Sequence, residues 1–533
     1  MISTLGGFLE AAIESGKPAC PPAIPDWAYG VVTPLTPLPH QIETLGKGLA
    51  FRRFGDYSEP GCMKTLPAQA LAIAQASQGI KAVYMTKPTL VTQVRESFDY
   101  NYPGLDRHLK VKALNGDVDA RLEALTDFHY NGWPDILIVS DKVFLGPISP
   151  FKKRKAKKES ESPAPKPPKG RVIFEQEGGP PVNFRTFVKK GYGFLISDDV
   201  VGVKTTSSQV HQAIEEFKGK NYERDLWVMN GTPVENVPSD AYGFIHLIAP
   251  HLYSTRKSFD RKHCIYGEKG GFGSPVVGYK NLDELHRNLY KHGIRFTKKD
   301  VLGLPPVTFV DVPVKLSHQH KALYDRVVNE MLLELPDGQM LDFTSAQKMY
   351  QVSQQMLLNA ERVTQVKVPD NQMLATLDDL IASLEGHKIL LGAWYNASVE
   401  TIAERLHKLN PAKIYGGNTD REREEAKYKF INDPTCRVAV TNYLSGGVGI
   451  DGFQSICSHA IAMEMVTVPG YAAQWVSRIN RGGQENPMTV YLVVPKGTVA
   501  VRLKRNLLEK EAVANQVIGD RKKLMRELLG EQE

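Results

Sequence analysis

The most informative segment of the chain lies near its end and reads Gln474-Trp-Val-Ser-Arg478-Ile-Asn-Arg481-Gly-Gly483-Gln484. Its two arginines are three residues apart, a spacing that predicts one shared face of a helix. A forked, permanently charged guanidinium suits the negative charge that builds on a phosphoryl group during transfer. A basic helix face that only contacts solvent would have the same spacing. The interpretation therefore depends on the motifs that precede this segment.

The composition is that of an ordinary globular protein. A chain of 533 residues is too long for one core and predicts two to four domains. No apolar run approaches about 18 residues, so we expect no membrane span and no membrane partner. We find no signal peptide, and the five cysteines form no C-x-x-C pair, which argues against a disulfide framework or a zinc site and favours the cytoplasm. The net charge of +7 is compatible with a nucleic-acid partner.

Short apolar runs alternate with helical segments along much of the chain. This alternation predicts an α/β fold with two parallel-sheet lobes and a mostly helical insertion between them. The predicted strands are 81–86, 135–140, 193–197 and 226–229 in the first lobe and 388–394, 413–417, 437–442, 459–464 and 489–494 in the second.

One segment has a different character. Residues 151–170 begin with a run of lysine and arginine and continue with serine, glutamate and proline, so we expect a disordered, exposed basic insertion that could contact nucleic acid. The predicted domains are an N-terminal extension 1–34, a first lobe 35–255 that contains this insertion, a helical linker or protrusion 256–370, a second lobe 371–505 and a C-terminal helix 506–533.

A glycine-containing loop precedes the helical run that starts near residue 65. It reads Glu59-Pro-Gly61-Cys62-Met63-Lys64-Thr65. Backbone N–H groups of such a loop, a lysine and a hydroxyl can hold a triphosphate and magnesium, although the full pattern expects glycine where Met63 stands. Upstream, Gln41 offers an amide that could pair with the edge of an adenine.

Carboxylates follow the predicted strand 193–197. Asp198 and Asp199 at the end of an apolar strand could hold magnesium and orient an attacking water. An ordinary acidic turn would look the same. The next strand leads into Asn230-Gly231-Thr232-Pro233, and a second glycine-rich loop, Thr441 to Asp451, follows a strand of the second lobe and can carry a phosphate contact.

The order of these elements resembles the order of the motifs in helicase superfamily two. The residues within the motifs are similar to those of the Swi/Snf-type ATPases. In that family the acids read DEAH, the third motif reads TGTP, and the last motif reads Q-x-x-x-R-x-x-R-x-G-Q. Further likeness lies in Pro233-Val-Glu-Asn236, in the segment that begins at Arg295 and in the one that begins at Ala322. The similarity covers about residues 35 to 515, and the absence of an appended module resembles compact bacterial or phage members.

The resemblance implies two RecA-like lobes with ATP and Mg²⁺ between them. Lys64 and Thr65 would hold phosphates and magnesium, and Asp198 would hold magnesium with Asp199 as the catalytic carboxylate. Arg478 and Arg481 would act as arginine fingers from the second lobe. The implied nucleotide contacts also include Gln41, Gly61, Gly447, Gly449 and Asp451. DNA, most simply duplex DNA, would touch Thr86, Lys87 and Ser140 in the first lobe and Thr441 and Asn442 in the second.

Three residues depart from the family pattern. Met63 replaces a glycine, Asp199 replaces a longer glutamate, and Val201 replaces a histidine. We therefore keep three interpretations: an ATPase that is stimulated by nucleic acid and translocates on duplex DNA, an inactive or weak relative that binds DNA or a protein partner, and a strand-separating DNA or RNA helicase. In each case we expect the protein to act in the cytoplasm, or in the host cytoplasm if a phage encodes it.

Overall fold

The computed structural model describes residues 2–116, 118–145, 191–219, 224–268, 274–330, 332–334, 340–342, 346–443, 452–466 and 468–518. The predicted basic insertion 151–170 lies outside these residues. The chain divides into two compact units: the first is Met1–Pro233 with Ser239–Thr297, and the second is Val234–Pro238 with Lys298–Glu533. In the part that is described, no helix is both long and apolar enough to cross a membrane.

The described helices are numbered in chain order. In the first unit they are α1 Leu5–Gly16, α2 Pro39–Ala50, α3 Thr65–Ser77, α4 Val91–Asn101, α5 Val118–Asn131, α6 Asp141–Leu145, α7 Gln209–Lys218, α8 Ala241–Ile248, α9 Arg256–His263 and α10 Leu282–Tyr290. In the second unit they are α11 Lys298–Leu302, α12 His318–Glu330, α13 Ala346–Thr364, α14 Gln372–Ser383, α15 Asn396–Arg405, α16 Asp420–Asn432, α17 Pro469–Val476 and α18 Val499–Ile518.

The described strands follow the same scheme. The first unit contains β1 Arg53–Asp56, β2 Ala82–Thr86, β3 Val111–Leu114, β4 Ile136–Ser140, β5 Phe194–Asp198, β6 Asp225–Met229, β7 Cys264–Tyr266, β8 Val276–Tyr279 and β9 Gly293–Ile294. The second contains β10 Val307–Val314, β11 Leu332–Glu334, β12 Met340–Asp342, β13 Lys388–Ala393, β14 Ala412–Ile414, β15 Val438–Asn442, β16 Cys457–Ala462 and β17 Met488–Pro495.

Each unit is built on one parallel sheet. The first sheet has the order β3-β4-β2-β5-β6-β1-β9, and the second has the order β10-β17-β16-β13-β15-β14. The neighbouring strands in both sheets run parallel. The predicted α/β fold with two parallel-sheet lobes is confirmed.

The segment 256–370, predicted to be mostly helical, also contains strand. The strands β7 and β8 form an antiparallel pair, and β10 joins the second sheet along its whole length beside β17. Strand β10 is mostly exposed or half-buried and contains Asp311 and Pro313, which suits an edge strand and gives no continuous apolar run to predict it from. The predicted bounds of the domains themselves stay predictions.

The N-terminal helix belongs to the core of the first unit. Its apolar residues Leu5, Phe8, Leu9 and Ala12 are buried in the same cluster as side chains of the sheet. The backbones of α1 and α2 approach each other closely, because a Cβ atom added to Gly46 would lie 2.5 Å from the carbonyl oxygen of Ala12. Glycine at residue 46 therefore permits this helix crossing.

We expect Gly46→Val to lower the free energy of unfolding of the first unit by about 1–3 kcal/mol, since the added side chain forces α1 away from α2. Gly7→Ala in α1 is the matched control: its Cβ would meet its nearest neighbour at 3.4 Å. Denaturant unfolding, followed by circular dichroism, measures both variants. Equal stability of the two variants would show that the close crossing does not matter.

Candidate nucleotide and nucleic-acid site

The carboxyl ends of the parallel strands place polar groups along one edge of the first sheet. Strands β1, β2, β4 and β5 end at Asp56, Thr86, Ser140 and Asp198. Ligands of open α/β sheets bind outside this edge. The structure therefore brings these four strand ends, which belong to the predicted motifs or directly precede them, to one edge of the sheet.

The loop from Tyr57 to Lys64 connects β1 to α3, which is the strand, loop and helix order that a phosphate loop requires. Gly61 has a φ of 97° and Met63 has a φ of 53°. A left-handed backbone suits glycine and costs a residue with a Cβ atom about 1–2 kcal/mol. Met63 thus occupies the conformation that the expected glycine would adopt freely, and its side chain is 39% exposed.

Two side chains of α2 hold this loop. The amide of Gln41 accepts a hydrogen bond from the backbone N–H of Leu38 (2.8 Å) and donates one to the carbonyl of Met63 (3.0 Å). His40 Nε2 lies 3.0 Å from the carbonyl of Cys62. Because Gln41 is buried and both ends of its amide have partners, it shapes the loop, and its predicted adenine contact stays a prediction.

Lys64 lies beside a buried carboxylate that the sequence analysis did not single out. Its ammonium donates to the carbonyls of Ser58 (2.6 Å) and Glu59 (3.4 Å). Asp56 is 1% exposed and accepts a hydrogen bond from the N–H of Ser58 (3.0 Å). Burial raises the pKa of Asp56, and the charge of Lys64 opposes that rise. The signal that could have revealed Asp56 is its place at the end of a strand just before the loop.

Tyr84 joins the two predicted magnesium ligands. Its hydroxyl donates to Asp198 Oδ2 (2.8 Å) and is also hydrogen-bonded to the side chain of Thr65. Burial and the neighbouring charge of Asp199 raise the pKa of Asp198 to about 6, while the hydrogen bond from Tyr84 opposes the rise. The structure therefore brings Thr65 and Asp198 to one hydroxyl group, a connection that no motif predicted.

Asp199 also has a left-handed backbone, with a φ of 52°. Aspartate tolerates this conformation better than most residues. Its carboxylate forms an ion pair with Lys87 (3.0 Å), so the ammonium predicted to touch DNA is held at the second acid of the motif. Val201, which stands in place of the family's histidine, is 74% exposed.

The turn after β6 packs directly on the phosphate loop. A Cβ atom added to Gly231 would lie 2.6 Å from Pro60, so only glycine allows this approach. Arg295 links the same parts, since its Nη1 donates to the carbonyl of Tyr57 (2.8 Å) and its Nη2 lies 3.6 Å from Glu59 Oε1. The segment that begins at Arg295 and resembles the family therefore stabilises the loop through this arginine.

Thr86 and Ser140 lie at the same edge but are mostly enclosed. Thr86 has no exposed surface, and the hydroxyl of Ser140 accepts a hydrogen bond from the N–H of Val143 (3.1 Å) at the start of α6. Their predicted contact with DNA stays a prediction.

In the second unit, Thr441 and Asn442 end β15. The hydroxyl of Thr441 donates to the carbonyl of Leu391 (3.2 Å) and accepts from Trp475 Nε1 (2.9 Å), and Thr441 has no exposed surface. Asn442 donates to Asn396 Oδ1 (2.8 Å). These partners tie β15 to its neighbours. The predicted nucleotide residues Gly447, Gly449 and Asp451 lie outside the described residues.

The prediction that Arg478 and Arg481 share a helical face is wrong, because α17 ends at Val476. Both arginines lie in the turns that follow, and both are half-buried. The chain leaves the helix before Gly482 and Gly483, and Gln484 anchors it: its Nε2 donates to the carbonyls of Cys457 (2.9 Å) and Ile479 (3.1 Å). The final glutamine of the motif therefore fixes the arginine-bearing turn to β16.

Glu464 is a second buried acid that sequence reasoning missed. Its carboxylate accepts hydrogen bonds from the N–H groups of Trp394 (2.7 Å) and Tyr395 (3.1 Å) and from the hydroxyl of Ser398 (2.6 Å). Burial nevertheless raises the pKa of Glu464 to about 7. Glu464 follows β16 and belongs to no motif, so only its packing against the start of α15 reveals it.

Replacing Met63 tests the backbone conformation of the loop. We expect Met63→Gly to unfold with a free energy about 0.5–1 kcal/mol higher than Met63→Ala, since both remove the side chain and only glycine relieves the left-handed strain. Denaturant unfolding measures the difference. The same pair of substitutions at the exposed helical residue Glu96 is the control, and there alanine should be the more stable. The same order of stability at both residues would contradict the assignment.

Glu464 should make stability depend on pH. Its folded pKa lies above the ordinary value of 4.5, so its contribution is complete below that pH and is lost as the pH rises through about 7. From about pH 5 to about pH 8 the parent should therefore lose about 1–3 kcal/mol of unfolding free energy relative to Glu464→Gln. Guanidinium unfolding at several pH values measures this. The exposed Glu385→Gln should follow the parent, and parallel curves for all three proteins would refute the prediction.

Comparison with known proteins shows what this chain is similar to. The model of the SNF2-related domain matches residues 185–373. An uncharacterized ATP-dependent helicase of Mycoplasma genitalium is 23% identical over 343 residues, which are 61% of this chain and 31% of that protein. A CHD3-type chromatin-remodeling factor of Arabidopsis thaliana is 21% identical over 344 residues, 61% of this chain and 27% of that protein.

A SWI/SNF-related, matrix-associated, actin-dependent regulator of chromatin (subfamily A-like protein 1 homolog) of Caenorhabditis elegans is 28% identical over 286 residues, 51% of this chain and 38% of that protein. The chain thus spans less than two fifths of the length of these curated relatives. Among solved structures, the Sulfolobus solfataricus SWI2/SNF2 ATPase core in complex with dsDNA is 17% identical, with a TM-score of 0.36, and the match covers 93% of this chain and 97% of that one.

These comparisons agree with the order of the motifs: residues 185–373 match the SNF2-related domain, and the chain is similar to proteins named as an ATP-dependent helicase and as chromatin-remodeling factors.

Proposed function

We propose that the protein is an ATPase, stimulated by nucleic acid, that translocates on duplex DNA or remodels DNA and its bound proteins. The observation that carries the proposal is the meeting of Thr65 and Asp198 at the hydroxyl of Tyr84, directly beside Lys64 at the start of α3. Phosphoryl transfer depends mainly on such positioned charges.

The residues at this edge fit a magnesium nucleotide. Thr65 and Asp198 offer a hydroxyl and a carboxylate oxygen, the ligand type that Mg²⁺ takes. The ammonium of Lys64 rests on two neutral carbonyls, which it can exchange for phosphate oxygens. Helix α3 begins without a side-chain cap, so its first N–H groups can meet an anion. When bound, Mg²⁺ would neutralise charge on the phosphates.

The remaining roles follow the family pattern. Asp199 would orient the attacking water, and Arg478 and Arg481 would supply positive charge to the transferring group. Gln41 and Gly61 would contact the nucleotide from the first unit, and Gly447, Gly449 and Asp451 from the second.

The nucleic acid in this proposal is duplex DNA. The relatives from Arabidopsis and Caenorhabditis are named as factors that act on chromatin, which supports DNA as the partner class. Lys87 lies at the sheet edge and could bind a phosphate, which would compete with Asp199, at a distance of 3.0 Å, for its ammonium. Binding of DNA at Lys87 would therefore free the second acid of the motif, which gives a physical route from DNA to stimulated hydrolysis.

A second candidate function is a weak or inactive ATPase relative that binds DNA or a protein partner. The ion pair of Asp199 with Lys87 favours it, because a carboxylate engaged with an ammonium is a weaker partner for water. The left-handed backbone at Asp199 also sets the direction of a side chain that is already one methylene shorter than the family's glutamate.

The test is phosphate release by the full chain, with and without duplex DNA. We expect ATP turnover that rises with DNA in the parent and is abolished in Lys64→Ala, because the ammonium that neutralises phosphate charge is gone. Lys47→Ala, which removes an exposed lysine of α2, is the matched control and should keep the parent's rate.

Circular dichroism distinguishes loss of the ammonium from loss of the fold. Turnover by Lys64→Ala equal to the parent would discard this site, and a parent that binds ATP but never releases phosphate would favour the second candidate.

A further inference from the structure

Two histidines and a glutamate lie close together in the first unit, on two helices that contain none of the motif residues. His211 and Glu215 are four residues apart on α7, so they share one face of that helix. His246 lies on α8. His211 Nε2 lies 3.2 Å from His246 Nδ1, which in turn lies 3.4 Å from Glu215 Oε1. All three potential ligand atoms lie within 4.8 Å of one another.

The hydrogen bonds of His211 fix which nitrogen is available. Its Nδ1 lies 2.7 Å from the carbonyl of Val203, and since a carbonyl only accepts, Nδ1 carries the proton. Nε2 of the neutral ring then presents its lone pair to His246 and Glu215. A backbone carbonyl behind a histidine in this way is the usual support of a metal-binding imidazole.

The packing around the cluster holds its parts in place. His211 is 1% exposed, while Glu215 and His246 are about one-third and one-quarter exposed, which leaves an approach from solvent. A Cβ atom added to Gly243 would lie 2.2 Å from the carbonyl oxygen of Lys204, so glycine lets α8 sit directly on the turn that carries the Val203 carbonyl.

We propose that His211, Glu215 and His246 form a binding site for one divalent transition-metal ion of the Zn²⁺ class. Zinc binds nitrogen and oxygen ligands at about 2.0–2.1 Å in a tetrahedral arrangement, which places neighbouring ligand atoms about 3.3 Å apart. Two of the three separations, 3.2 and 3.4 Å, are close to this value, and the third is within 4.8 Å. Two imidazoles select Zn²⁺ over Mg²⁺ and Ca²⁺, which prefer oxygen ligands.

The ion would replace a proton and an ammonium. Without metal, His246 Nδ1 can donate its proton to His211 Nε2, and Lys218 pairs with Glu215. On binding, the Nδ1 proton of His246 leaves or moves to Nε2, and Lys218 releases the carboxylate oxygen. The ion would then join α7, which follows Asp198 and Asp199, to α8, which follows the Asn230–Pro233 turn. The site would thus fix two segments on which the nucleotide edge depends, although it does not rest on ATP turnover.

The experiment is a titration of the full chain, free of any histidine tag and stripped with a chelator, with Zn²⁺ followed by calorimetry. We expect one ion per chain with micromolar or tighter affinity, no comparable binding of Mg²⁺, and a Co²⁺ complex whose visible spectrum shows four-coordinate geometry. His246→Gln should weaken the binding of Zn²⁺ at least about tenfold.

Glu215→Gln gives a second variant whose altered side chain is partly exposed, so a failure of one protein to fold leaves the proposal testable. His318→Gln, an exposed histidine at the start of α12, is the matched control and should bind as the parent does. Absence of a tight site in the parent, or equal Zn²⁺ affinity in the parent, His246→Gln and Glu215→Gln, would overturn the proposal.

Discussion

The constraint on which the first unit depends is the burial of carboxylates beside a single loop lysine. Asp56 ends β1 and Asp198 ends β5, on either side of β6 at one edge of the sheet. Burial disfavours the charged form of both carboxylates. The charge of Lys64 acts on both groups, and its ammonium is held by carbonyls of the loop itself. The loop must therefore curl back over β1, and the contacts from α2, Gly231 and Arg295 all serve to keep it there. This arrangement keeps positive charge and anionic oxygen within reach of each other before any ligand arrives.

Two of the residues that depart from the family pattern have a left-handed backbone. Met63 and Asp199 both adopt left-handed backbones, and Met63 does so where the family has glycine. The loop therefore carries a strained, partly exposed side chain at Met63. At Asp199 the outcome is different, because the ion pair with Lys87 gives the shorter carboxylate a partner. The chemistry of the site would then depend on what competes with Asp199 for Lys87, and in the proposed function that competitor is DNA.

Much of the fold could be predicted from the sequence, because buried parallel strands appear as short apolar runs with β-branched residues. The nine predicted strands correspond to strands of the two sheets. Strand β1 is not predicted, because Arg53 and Asp56 at its ends are residue types typical of loops, although the whole strand is buried. The motifs located Lys64, Thr65 and Asp198, but Tyr84 and Glu464 act through contacts between distant segments that no spacing reveals. The arginine pair shows the opposite error: helical spacing at Arg478 and Arg481 belongs to turns that Gln484 anchors.

The central claim is that the carboxyl edge of the first sheet binds ATP through magnesium. Isothermal titration of the unaltered protein with ATP, in the presence of Mg²⁺ and again with a chelator, tests it without any assumption about turnover or DNA. The account predicts one nucleotide per chain and an affinity that falls at least about tenfold when Mg²⁺ is removed, because Thr65 and Asp198 act through the ion. Absence of binding, or binding of equal strength without Mg²⁺, would contradict it.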